Sequence, residues 1–164
     1  MVLRFLRNKV VEVEPLPDGQ LLVTWKLADD LLEAEMRLKV QPPDLEITEA
    51  EASISRCPHQ ECAMAPDLIE NVEGVRIGSG LRKIVRGLLE GPEGCSILSA
   101  GVLECCNAVI LHFTRPGIQA RDGVRLTEEE QIAGSRENLK NNPRLVRSCI
   151  AFADDSPIMQ GLDL

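Results

Sequence analysis

The chain has 164 residues, of which 44% are hydrophobic, enough for one domain with a real core, and it carries a net charge of −8. An acidic balance of that size argues against nucleic acid as the main partner, because phosphate-backbone binding needs a basic face that releases counterions. One Trp, three Phe and no Tyr leave no platform on which bases could stack, so aliphatic side chains must supply the core.

In chain order, the segment Met1 to Lys9 scatters basic residues among apolar ones without a continuous hydrophobic stretch or a small-residue cleavage site, which is not the pattern of a signal peptide. No later segment is expected to span a bilayer, so the sequence points to a cytoplasmic protein with no membrane partner. In that reducing setting the six cysteines are expected as thiols or metal ligands.

Four strands are expected, from Arg4 to Glu14, Gln20 to Leu27, Leu31 to Val40 and Leu45 to Ser55. Their breaks carry turn chemistry in Pro17-Asp18-Gly19, Ala28-Asp29-Asp30 and Pro42-Pro43-Asp44. Period-two alternation in Val11 and Val13, and in Met36, Leu38 and Val40, gives an antiparallel meander with one apolar and one wet face.

The period then lengthens. Glu61 to Val72 reads as a helix with Pro66 near its start, and Gly78-Ser79-Gly80 opens a short helix from Leu81 to Leu89. Those glycines and the basic residues Arg82 and Lys83 could cradle an anion, but the Walker spacing is absent, and a turn leading into a solvated basic helix face is the favoured reading. Cys95 to Phe113 is the core helix, with Cys95, Ser99, Val102, Cys106, Val109 and Phe113 on a stripe that should face the sheet. Arg115-Pro116-Gly117 should end it. Thr127 followed by Glu128, Glu129 and Glu130 then starts a last helix toward Asn141, closed by Pro143. The expected architecture is α+β: a meander of about four strands covered on one face by helices, as one domain over 1–152 with a tail over 153–164 that frays after a short docked segment.

Two cysteine positions could carry chemistry. Gly94-Cys95-Ser96 delivers a thiol to a helix N-terminus, where unpaired N–H groups and the helix dipole favour a thiolate, although neighbouring Glu93 opposes ionisation. A buried structural cysteine is the alternative at that position. Cys57-Pro58-His59-Gln60-Glu61-Cys62 sets two thiols and an imidazole at a strand-to-helix junction, and soft sulfur and nitrogen donors suit zinc or an iron–sulfur centre. That spacing is looser than a common zinc knuckle, so a buried cysteine beside a surface histidine stays open there too. If the strand exit and the core helix N-terminus meet, Cys57, His59, Cys62 and Cys95 form the candidate metal set, with Cys149 as a further member. Cys106 reads as core, and Cys105 and His112 as structural.

Ala50-Glu51-Ala52 leading to Cys62, then Val75 to Lys83, then Gly94-Cys95-Ser96, and finally Arg147-Ser148-Cys149 resemble the ordered landmarks of a bacterial domain-of-unknown-function family, number 2889. The resemblance runs from about residue 30 to 155, with the Gly-Cys landmark its most specific part. Where the family pattern is Gly-Cys-Thr-His-Leu, this chain has Gly94-Cys95-Ser96-Ile97-Leu98 and so no histidine beside the cysteine. In layout the chain is also similar to iron–sulfur assembly scaffolds of the IscU and NifU N-terminal type. That likeness implies ligand or persulfide roles for Cys57 or Cys62 and for Cys95, although Gly94 stands where those scaffolds have a histidine and their Gly-Cys-Gly-Asp loop is absent.

The functional expectation is cysteine-based binding of a metal, an iron–sulfur species or sulfur. The rival is a non-catalytic module with structural cysteines, whose acidic surface or C-terminal tail recognises a protein partner. A thiol enzyme with Cys95 as nucleophile and His59 as base is a third reading.

Overall fold

The computed structural model describes residues 4–119, 126–141 and 143–162. They fall into two compact units, Met1–Arg115 and Pro116–Leu164. The first holds strands β1 (Arg7–Pro15), β2 (Leu21–Asp29), β3 (Glu33–Gln41) and β4 (Glu46–Arg56), all antiparallel to their neighbours and in sequence order across the sheet. A 3-10 helix over Gln60–Val72 follows, then α1 (Leu81–Leu89) and α2 (Ser96–Gln119). This is the expected α+β meander.

Alternation decides the faces. Leu21, Val23, Trp25 and Leu27 of β2 and Ala34, Met36, Leu38 and Val40 of β3 are buried, and pairing sets Trp25 opposite both Val11 and Met36. The other face carries charge, with Lys26 and Arg37 around Glu35 and Lys39 on Glu49 at 2.6 Å. Such exposed pairs add little stability, but they keep that face wet.

The β2–β3 turn is built on Asp29. Its carboxylate accepts the N–H groups of Leu31 at 2.8 Å and Leu32 at 2.7 Å, and the Arg7 Nε–H at 2.7 Å. The Arg56 guanidinium donates to the Asp29 carbonyl, so this corner joins β1, β2 and β4. Burial alone would raise the Asp29 carboxyl, but the two amides and the guanidinium outweigh it and hold it below the usual carboxylate range.

Helix α2 covers the apolar face through Leu98, Ser99, Val102, Cys105, Cys106 and Val109, all buried. At Gly101 the approach is close enough that a Cβ would stand 3.1 Å from Trp25 Cε2 and 3.2 Å from Met36 Cε. One turn on, Glu104 accepts the Trp25 indole N–H at 2.7 Å and the Lys9 ammonium at 2.6 Å.

The outer edge of β4 is covered by a pairing that the sequence reading treats as a turn. Ile47 N–H donates to Val75 O at 2.9 Å, Gly74 N–H to Ile47 O at 2.8 Å, and Ile77 N–H to Leu45 O at 2.9 Å. Glu73 accepts the Ala50 amide at 3.0 Å, so β4 finds partners for edge amides that would otherwise be open.

Four expectations change in the structure. Residues 60–72 form a 3-10 rather than an α-helix, with Pro66 inside and its N–H missing from any α ladder. Phe113 leaves the sheet-facing stripe: Val109 is buried, but one turn further Phe113 is 49% exposed and meets His112 edge-on at 5.7 Å. Helix α2 continues through Pro116 to Gln119, since a proline removes one backbone hydrogen bond without having to end a helix. Ser96–Phe113 also has the length and mean hydropathy, 18 residues at 1.6, of a membrane-crossing segment. In this unit its buried stripe is taken up by the sheet.

In the second unit, α3 (Glu128–Asn141) starts on a reciprocal cap. Thr127 N–H donates to Glu130 Oε2 at 2.8 Å and Glu130 N–H to Thr127 Oγ1 at 3.3 Å. The Arg136 guanidinium donates to the carbonyls of Pro157 at 3.1 Å and Ile158 at 2.9 Å, and Ser156 is buried. The expected boundary between residues 152 and 153 therefore falls inside this unit, and the segment expected to fray is tied to α3.

Two outcomes follow from these contacts. Glu104→Ala leaves the buried indole N–H without its acceptor and should cost about 1–3 kcal/mol. Glu104→Gln, whose amide oxygen still accepts that bond, should cost less. Urea midpoints followed by the fluorescence of Trp25 would read this, and an unchanged midpoint for Glu104→Ala would show that the bond does not hold the helix. Because the folded Asp29 carboxyl is depressed, its contribution is complete above the unfolded pKa of about 3.9 and is lost as pH falls through the folded value. The stability gap between wild type and Asp29→Asn should thus be constant near neutrality and close in acid. A gap that widens below pH ~4 would contradict this.

Candidate functional site

The site grows from two chain reversals. The first follows β4. Cys57 is half-buried against the core, His59 is exposed and precedes the 3-10 helix, and Cys62 N–H donates to His59 O at 3.1 Å in the opening turn. With about three residues per 3-10 turn, Cys62, Ala65 and Leu68 lie along one line of that helix.

The second reversal joins α1 to α2. Gly91, at φ 112°, turns the chain, Gly94 N–H donates to Gly91 O at 3.1 Å, and Cys95 N–H returns to Leu89 O at 2.6 Å. A Cβ on Gly94 would lie 2.4 Å from Leu89 O and 2.7 Å from Glu90 C, both backbone atoms, so no larger residue fits. The histidine that iron–sulfur scaffolds carry at this place is sterically excluded. The loop sets Cys95 as the N-cap of α2, where its carbonyl accepts the Ser99 N–H at 3.0 Å. Ser99, itself wholly buried, donates its hydroxyl to Glu90 Oε1 at 2.9 Å and pins the α1 end to the α2 start.

Between the 3-10 helix and this loop lies a cavity of about 320 Å³, lined by Cys62, Met64, Ala65 and Leu68 on one side and Pro92, Glu93, Gly94 and Cys95 on the other, with Glu61 at the helix start. Cys62 and Cys95, both half-buried, are thus brought to one cavity from distant parts of the sequence. Cys57 and His59 are not among its lining residues. Cys149 is exposed in the second unit, just before the 3-10 turn Ile150–Phe152. Among the described residues no group of three His, Cys, Asp or Glu side chains is placed to hold one metal ion.

The remaining thiols are different in kind. Cys105 and Cys106 are sealed under α2, where burial raises both thiols, that of Cys106 to about 12, and the neighbouring Cys106 and Glu104 charges add to the rise at Cys105. At neutral pH they are packing groups. Sequence reading passes over Met64, Leu68 and Pro92 as walls of the site. The i, i+3, i+6 run of Cys62, Ala65 and Leu68 was the available signal, but it points to one face only if the helix is taken as 3-10 rather than α.

Residues 14–110 match the family described as "Protein of unknown function (DUF2889)". The match starts earlier than the landmarks quoted from the sequence and ends before Arg147-Ser148-Cys149. No curated protein and no solved structure matches the chain, so the layout likeness to iron–sulfur scaffolds gains no support. The matched stretch spans most of the chain, including strands β2 to β4, the 3-10 helix, α1, both cavity cysteines and the buried stripe of α2, and the chain belongs to this family of unknown function.

Proposed function

We propose that this protein is a cysteine-based binding protein that takes up a metal, an iron–sulfur species or sulfur at the cavity between the 3-10 helix and the α1–α2 loop. The observation that carries the reading is that Cys62 and Cys95 line one cavity from its two sides, the second at the N-terminus of a long helix. The turn at Gly91 and Gly94 presents Cys95 as the cap of that helix, and the deprotonated thiol is the form that binds metal or attacks sulfur. A structural zinc is closed by a full tetrahedral set of side chains, and no such set is gathered among the described residues. A species handled at two thiols fits better than a permanently enclosed ion. Cys57 and His59 stand outside the cavity lining, and a role for them would require movement. A reducing cytoplasm would keep both thiols available.

The interaction-module reading draws on α1, where Ile84 and Leu88 are exposed beside the basic Arg82, Lys83 and Arg86. An acidic protein partner would suit such a helix face.

Thiol labelling at neutral pH, read by mass spectrometry, should modify Cys62 and Cys95 well before Cys105 and Cys106. Equal rates for all four would remove the case for a distinct site. Protein purified under anaerobic conditions should carry metal or labile sulfur that Cys62→Ser and Cys95→Ser each abolish. Retention in both variants would overturn the proposal, and wild-type protein that binds no soft species would favour the interaction module.

A further inference from the structure

The reading of this cavity as a cysteine-based site leaves the bound species open, and a third sulfur narrows it. We infer that the cavity is a site for monovalent copper, Cu(I), held by the thiolates of Cys62 and Cys95 and the thioether of Met64; this rests on the two-thiol reading above.

Met64 is 66% exposed, yet it lines the cavity with both cysteines. Methionine usually fills core gaps, as Met36 does here with no exposed surface. A solvent-facing thioether that lines the same cavity as two thiols offers a donor that zinc does not use, since zinc is bound by thiolate, imidazole and carboxylate. Thiolate and thioether together select Cu(I). The harder donors lining the cavity, Glu61 and Glu93, do not join the thiols in a group able to hold an ion. A tetrahedral zinc site is therefore not built, whereas a soft ion of low coordination number needs only the sulfurs present. Two thiolates on a singly charged ion leave one net negative charge, which the N-terminus of α2 favours at Cys95.

Among the other described sulfurs of this unit, Cys105, Cys106 and Met36 are sealed in the core and Cys57 packs on it outside the cavity lining. The tight loop at Gly91 and Gly94 holds Cys95 in place, and the unbranched Met64 side chain can swing onto an ion that enters from solvent.

The test uses the full chain with Cys57→Ser and Cys149→Ser, titrated anaerobically with Cu(I) against the chromophoric competitor bicinchoninate, and in parallel with Zn(II) against a zinc indicator. One equivalent of Cu(I) should bind, more tightly than Zn(II). Adding Cys62→Ser or Cys95→Ser should remove it. Met64→Leu, at an exposed position where Trp25 fluorescence should confirm an intact fold, should weaken Cu(I) at least roughly tenfold, the loss that even supporting groups around a metal site bring. Unchanged Cu(I) affinity in Met64→Leu, or Zn(II) bound as tightly with the same dependence on both thiols, would overturn the copper assignment and leave the two-thiol site standing. Binding of either metal that ignores Cys62 and Cys95, or binding of neither, would defeat both.

Discussion

Everything in the first unit hangs on the contact between Trp25 and α2. A fully buried indole must place its N–H on an acceptor, and Glu104 provides it from above the sheet at 2.7 Å. The carboxylate can come so close only because Gly101, one turn earlier, has no side chain to push the helix off the ring. Lys9 then takes the second carboxylate oxygen, so β1, β2 and α2 share one polar junction at the border of an aliphatic core. Burial works against the charge on Glu104, but the Lys9 ammonium and the indole N–H outweigh it and hold the carboxyl below its ordinary range. With one Trp and few other aromatics, the fold has no second anchor of this size.

That junction also fixes the cysteine site. From Gly101 back to Cys95 is about 9 Å along the axis at 1.5 Å per residue, so a helix registered on Trp25 has little freedom in where it starts. The bond between Ser99 and Glu90 transfers this register to α1, and the clash-limited turn at Gly94 transfers it to the Cys95 backbone. The opposite wall is set separately. The strip at 73–77 zips onto β4, and Ala65, Ile69 and Val72 anchor the 3-10 helix in the core. Two rigid supports thus face each other across a cavity whose more mobile contribution is an exposed methionine.

The arrangement separates two kinds of cysteine. Under α2, Cys105 and Cys106 behave as small hydrophobes, with raised pKa values that keep them protonated and inert. At the cavity, two half-buried thiols face space large enough for a ligand. A binding protein that exchanges its cargo needs open coordination positions, whereas a structural metal site is closed by the protein itself. Under the proposed reading, the open cavity between Cys62 and Cys95 would suit the first kind.

The local signals of the chain were legible because each has a short-range cause. Alternation in β1 and β3 follows from a sheet with one dry face, Thr127 and Glu130 cap α3 through their own side chains, and Gly94-Cys95-Ser96 sits between a turn and a long apolar run. What failed needed knowledge of distant partners. Phe113 fits the stripe by spacing, but whether a residue on that stripe is buried depends on how far the opposing surface extends. The Gly74 to Ile77 segment looks like a turn because its hydrogen bonds go to β4, far back in the chain. The 3-10 winding at 60–72, which aligns Cys62 with Leu68, cannot be told from α by composition once Pro66 is allowed near a helix start. By itself, then, the sequence determined the meander, the helix starts and the presence of a thiol at the head of α2. Only the tertiary structure decided which thiol and which thioether join it at one cavity and which cysteines are sealed away, because that grouping depends on helix register over Trp25 and on contacts between segments far apart in the chain.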